Sequence, residues 1–86
     1  MAREKASTMQ PVTMYSTTWC GYCRRLKRQF DEAGIAYEEI DVDVHQRLGD
    51  RIIEATGGHR VVPTIEIGDK LLVNPSLREV EQALAS

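Results

Sequence analysis

Cysteine is scarce in this 86-residue chain, which holds two, and tryptophan, phenylalanine and proline are scarcer or nearly so at one, one and three. Two cysteines are too few for the disulfide framework that staples small secreted domains. An excess of charge of one sign is also missing. Eleven basic and 13 acidic side chains leave a formal net charge of -2, without the broad basic field that nucleic-acid binding draws on. No apolar run approaches the ~18 residues of a membrane span, and the stretch from Arg3 to Met9 has no hydrophobic region of the secretory-signal kind. These absences lead to the expectation of a cytoplasmic monomer that binds neither nucleic acid nor membrane. What is present, 42% hydrophobic and 28% charged residues, describes an ordinary folded domain with one core and no room for a second.

Both cysteines fall in one stretch, Trp19-Cys20-Gly21-Tyr22-Cys23. Residues 1–10 mix charge and small polar side chains without periodicity and read as a flexible tail ahead of a domain spanning 11–86. Pro11 opens a short strand, Val12 to Tyr15, followed by a polar turn over Ser16, Thr17 and Thr18. Cys23, Leu26, Phe30 and Ala33 recur at helical spacing from Gly21 to about Ala33, and Gly34 is the stop. A second strand is expected within Ile35 to Val44. A second helix follows, capped by Asp43, with His45 in its first turn, Leu48, Ile52, Ile53 and Ala55 inward, and Gly57-Gly58 at its end. Thr64 to Ile67 and Lys70 to Val73 form a hairpin across Gly68-Asp69, with Pro63 just ahead of the pairing. Ser76 and Glu79 make a capping box for a last helix that turns Leu77, Val80 and Leu84 inward. The order is β-α-β-α-β-β-α, an α/β chain whose first crossover makes a right-handed parallel unit.

Cys20 stands where the first strand passes into the first helix. Free backbone N–H groups and the positive end of the helix dipole favour a thiolate there, and thiols so placed have pKa values lowered to roughly 3.5–7.5. Arg24 and Arg25 add positive charge if they fold back. Cys23, three residues on and on the same face, can attack a mixed disulfide formed at Cys20 and close an intramolecular one. Cys20 is then the entering nucleophile and Cys23 the resolving thiol. Two plainer readings stand beside this: a cysteine pair packed in a small core, and a zinc site completed by His45 and His59. The polar, exposed approach expected of Thr17-Thr18-Trp19 speaks against the first, and the wide ligand separations speak against the second.

Three motifs together, Trp19-Cys20-Gly21-Tyr22-Cys23, Gly57-Gly58-His59-Arg60-Val61-Val62-Pro63-Thr64 and Asn74-Pro75-Ser76, make the chain resemble the glutaredoxin family of the thioredoxin superfamily, most closely its mycoredoxin branch, over residues 11–86. The resemblance implies a thioredoxin-like fold: a four-stranded mixed sheet with helices on both faces. It also implies a cis Val62-Pro63 bond beside the cysteines. It gives Val62 main-chain contact with a thiol substrate, and Pro63 the shaping of the groove and the exclusion of metals. Trp19 and Tyr22 join them as substrate-binding residues, and Tyr15 and Arg60 are further candidates for the wall.

Glutathione-using relatives carry a lysine shortly before the first cysteine and a Gly-Gly or Cys-Asp type turn before the last helix. This chain has Ser16-Thr17-Thr18 and Asn74-Pro75-Ser76 instead. The resemblance therefore implies mycothiol, a pseudodisaccharide-linked cysteine, as co-substrate ahead of glutathione, with no tightly bound cofactor. Its partners would be oxidised or mycothiolated client proteins and, indirectly, a separate NADPH-dependent disulfide reductase. Alternatives are a glutathione-dependent glutaredoxin, a redoxin serving ribonucleotide reductase, an iron-sulfur cluster carrier using Cys20, and a docking module without redox turnover.

Overall fold

A computed structural model describes residues 11–58 and 61–85. The expected tail over residues 1–10, the loop histidine His59 and the wall candidate Arg60 lie outside the described residues. Seven elements follow one another: β1 (Val12–Ser16), α1 (Gly21–Ala33), β2 (Glu38–Asp41), α2 (Gln46–Thr56), β3 (Thr64–Ile67), β4 (Lys70–Val73) and α3 (Leu77–Ala85). The sheet order is β2-β1-β3-β4, with β1 parallel to β2 and antiparallel to β3, and β3 antiparallel to β4. This is the thioredoxin-like architecture, with its mixed sheet and helices on both faces.

Alternation along β1 sorts side chains between two cores, because successive residues of a strand point to opposite faces. Val12 and Met14 join Ile65 and Ile67 under Leu26 and Phe30 of α1 and Val80 of α3. Tyr15 points the other way, to Val42 and Ile52, and α2 covers it there. Phe30 is fully buried and meets Tyr37 edge-on, ring centroids 5.3 Å apart. Burial of one such side chain contributes about 1.5–3 kcal/mol.

Several sequence expectations shift by a few residues. β2 is confined to Glu38–Asp41 and does not run from Ile35 to Val44, because its pairing with β1 extends only from Thr13↔Glu38 to Ser16↔Asp41. Ile35 belongs to the end of α1 instead: Gly34 adopts φ +74°, a left-handed conformation suited to glycine, and the Ile35 N–H reaches the Phe30 carbonyl at 2.9 Å. Ser16 is the last residue of β1 and not part of the turn, and Ser16 and Thr17 are both buried. The cap of α2 is His45, one residue before the helix and not within its first turn, and it makes no side-chain cap bond. Asp43 does not cap, because Asp41 holds this turn: its carbonyl accepts the His45 N–H at 2.8 Å and its carboxylate the Asp43 N–H at 2.8 Å. Within the helices, Ala33 and Ala55 are exposed, and Gly49 is buried beside Ile52 on the inner face of α2.

The capping box of α3 holds as expected. The Ser76 N–H donates to Glu79 Oε1 at 2.8 Å, and the Glu79 N–H donates to Ser76 Oγ at 3.1 Å, the reciprocal capping box. No helix among the described residues is long and apolar enough to cross a membrane.

Candidate active site at the start of the first helix

β1 and α1 are joined by four residues, Thr17 to Cys20, and the handover places Cys20 at the N-cap of α1 with extended backbone, φ -85° and ψ 110°. Its sulfur accepts the Cys23 backbone N–H at 3.0 Å, one of the donors that a helix start leaves without a carbonyl partner. Its carbonyl accepts the Arg24 N–H at 3.2 Å and so begins the helical ladder. Cys20 and Cys23 are joined in a disulfide, with Cα atoms 5.2 Å apart. The two sulfurs are not equivalent, since Cys20 keeps 5% of its surface and Cys23 none. Attack from outside therefore reaches Cys20 first.

The aromatic residues of the motif flank it in the open, Trp19 69% and Tyr22 68% exposed. Trp19 is held by its indole N–H, which donates to Asp43 Oδ2 at 3.0 Å in the turn after β2. The exposed approach expected over Thr17-Thr18-Trp19 applies to Thr18 and Trp19; Thr17 is buried, and its hydroxyl has no partner among the described side chains and backbone. Arg24 does fold back, donating to the Thr18 carbonyl at 3.2 Å.

The Val62-Pro63 bond is cis. Pairing between β1 and β3 ends at Tyr15↔Thr64, so Val62 and Pro63 lie outside the strand ladder. Pro63 forms one wall of a cavity of about 160 Å³, with Tyr22, Arg25, Leu26 and Gln29 of α1 facing it and Asn74, Pro75 and Ser76 closing it. The Pro63 carbonyl accepts the Asn74 N–H at 2.8 Å, which ties the two non-helical walls together. Pro63 thus faces Tyr22, the residue between the two cysteines, across this cavity. Trp19 stands toward the β2–α2 turn, and the Val62 side chain packs on the Tyr15, Val42 and Ile52 cluster.

Tyr15 is no wall of this cavity. Its hydroxyl donates to Glu66 Oε1 at 2.6 Å and accepts from Arg51 at 3.1 Å, while Arg51 also pairs with Glu66 Oε2 at 3.0 Å. Burial, then the bond to Glu66, pushes the Tyr15 phenol up to about 12. The same bond, ahead of Arg51, holds the Glu66 carboxyl below its ordinary range. A second polar link lies at the parallel edge, where Ser16 Oγ donates to Glu39 Oε2 at 2.6 Å and Lys27 joins the same oxygen at 3.0 Å. The Ser16 bond is the chief reason that the Glu39 carboxyl titrates low.

Sequence reasoning missed Arg25, Leu26 and Gln29 as cavity walls and Asp43 as the partner of Trp19. Tyr22, Arg25 and Gln29 are spaced i, i+3, i+7, one helical face next to the first cysteine, and that spacing was the available signal. Asn74 adopts φ +50°, a backbone feature that asparagine tolerates and that nothing in its neighbours announced.

A strand-to-helix cysteine pair and a cis proline that faces the residue between the two cysteines, in this sheet order, define a thiol-disulfide redox protein. The glutaredoxin family profile matches residues 12–72, and the chain belongs to the glutaredoxin family. Its relatives include a Mycobacterium tuberculosis protein bearing the glutaredoxin name, 40% identical over 85% of this chain and 88% of the relative. Mycoredoxin 1 of Corynebacterium glutamicum is also 40% identical, over 84% of this chain and 90% of that protein. Among solved structures, a buckwheat glutaredoxin-glutathione complex superposes with a TM-score of 0.68 at 30% identity, covering 93% of this chain and 76% of that one. The chain is accordingly a glutaredoxin-like thiol-disulfide oxidoreductase.

Proposed function

We propose that this oxidoreductase reduces mixed disulfides between client proteins and mycothiol, with Cys20 as the attacking sulfur. The observation that carries the reading is the unequal setting of the two sulfurs: Cys20 caps α1 and receives a backbone N–H, while Cys23 is sealed in the core. The donor that now meets Cys20 favours a thiolate once the disulfide is reduced. That thiolate bonds to the mycothiol sulfur as the client's S–S bond breaks, and the client sulfur leaves as a thiolate that takes up a proton from water. The thiolate of a second mycothiol then bonds to the first mycothiol's sulfur, releasing Cys20 and forming mycothiol disulfide. A separate NADPH-dependent reductase returns that disulfide to two thiols. In the dithiol route the Cys23 thiolate attacks the Cys20 sulfur of the mixed disulfide instead; the bond to mycothiol breaks, mycothiol leaves as a thiolate that takes up a proton, and the product is the Cys20–Cys23 disulfide.

In this reading the Val62 main chain lies along the bound thiol, Pro63 shapes the groove, and Trp19 and Tyr22 flank it. Mycothiol is a co-substrate and no cofactor is held tightly. The choice of thiol is supported by the likeness to Mycoredoxin 1 and by the walls themselves. No lysine stands among Ser16, Thr17 and Thr18, where glutathione-using members of the family carry one, and on the cavity wall Asn74 to Ser76 bring amide, ring and hydroxyl groups suited to a sugar. We place the reaction in the cytoplasm, where the thiol pool keeps the enzyme reduced. The test is turnover of one client peptide carried as a mycothiol or a glutathione mixed disulfide. The mycothiol form is expected to be faster, and a faster glutathione form overturns the assignment.

A further inference from the structure

The chain carries a formal net charge of -2, but the part of α1 that follows the cysteines has the opposite sign. Arg24, Arg25, Lys27 and Arg28 come within its first two turns, and its first turn has no acidic residue. Two of these cations are engaged inside the fold, Lys27 with Glu39 at 3.0 Å and Arg24 with the Thr18 carbonyl at 3.2 Å. Arg25 and Arg28 are exposed and have no hydrogen-bond or ion-pair partner among the described residues. Only Arg25 borders the cavity at Pro63, and it also lines an open depression with Gly21 and Tyr22. Among the described residues, the turn that holds Trp19 on the other flank is acidic, with Asp43 bonded to the indole and Asp41 beside it. Among the described residues, the motif Trp19 to Cys23 thus has a basic group at its Tyr22 end and an acidic turn at its Trp19 end.

We infer that this basic group selects clients: Arg25, beside the exposed Tyr22, docks an acidic side chain near the disulfide cysteine of an extended client segment. A guanidinium offers a planar fork of donors that matches a carboxylate, and the exposed ring next to it covers the apolar part of the segment. Complementary charge at a rim acts mainly on encounter and register, and like charge in the same place repels. The inference rests on the proposed thiol reaction but assigns Arg25 to the protein half of the mixed disulfide. The thiol half makes no call on it, since a cysteine amide of an amino sugar has no carboxylate.

The test uses three peptides, each with one cysteine in mixed disulfide with mycothiol and flanked by aspartates, by serines or by lysines. The readout is the ratio of kcat/KM for the acidic peptide to that for the basic one. The wild type is expected to favour the acidic peptide by about three- to fivefold, the scale of one exposed ion pair. Arg25→Gln should bring the ratio to about one and Arg25→Glu should invert it. Salt at about 1 M, where the screening length is ~3 Å, should flatten the wild-type ratio. Equal rates for the three wild-type peptides overturn the inference. So does an Arg25→Gln variant that slows all three by one factor, because Arg25 would then act on Cys20 or on the thiol half. A parallel set carried on glutathione tests the thiol assignment by itself: faster turnover there sinks mycothiol as the co-substrate and leaves the charge ranking to decide the role of Arg25.

Discussion

Cys20 and Cys23 are chemically the same side chain, and their difference comes from three residues of backbone. One sulfur precedes the first helical turn and takes an N–H from it; the other lies inside the turn and in the core. The expected outcome of mutation is correspondingly unequal. Cys20→Ser should abolish turnover of a mycothiol mixed disulfide. Cys23→Ser should keep it within about tenfold of wild type, since a second mycothiol resolves the intermediate without it. Turnover measured with both variants decides the matter, and a Cys23→Ser enzyme that is dead beside a living Cys20→Ser enzyme reverses the assignment. The unequal placement was legible in the sequence because a cap and a helix interior three residues apart are local facts. The anchoring of Trp19 by Asp43 was not, since the two residues are 24 positions apart and meet only after β2 has paired beside β1.

Among the elements, α3 followed its local signals closely and α2 did not. Ser76 and Glu79 satisfy each other's backbone N–H across the first turn of α3, an arrangement with all its parts inside four residues. Ser76→Ala should cost about 1 kcal/mol, a fall in Tm of roughly 4–8 °C for a chain of this size. In calorimetry, Ser76→Ala combined with Glu79→Ala should cost less than the sum of the two, because both act through one motif. Full additivity would mean that the box contributes nothing as a unit. At α2 the sequence offers Asp43 as the cap, and the tertiary structure gives the turn to Asp41 instead. Asp41 ends β2 with its carbonyl and carboxylate both facing the turn, whereas the Asp43 carboxylate is drawn to the Trp19 indole.

For the whole molecule, two polar links tie elements across the sheet and make stability depend on pH at both ends. Glu39 and Glu66 are held below the ordinary carboxylate value of 4.5, chiefly by Ser16 and by Tyr15. Their contribution is complete above that value and is lost as pH falls through their depressed pKa values, because the unfolded chain then binds protons that the native state does not. Tyr15 is shifted the other way, from 10.0 to about 12, so its contribution is full below pH 10 and is lost as pH rises toward 12. Urea unfolding across pH should show a plateau with an acid and an alkaline shoulder. Tyr15→Phe should shrink both, while lowering stability on the plateau by about 1–2 kcal/mol. An alkaline shoulder of undiminished size in that variant would rule Tyr15 out as its source. The sequence by itself determined the order of elements, the helix stops at Gly34 and Gly57, the capping box and the reactive pair, because each depends on groups within about four residues. Tertiary structure alone decided the rest. Strand order β2-β1-β3-β4 carries Pro63 and Asn74 to Ser76 to the start of α1, closing a cavity there. The same pairing sets Tyr15 against Glu66, 51 residues away, on the opposite face. Such contacts depend on which strand lies beside which and which face a residue takes, quantities that no short window of sequence contains.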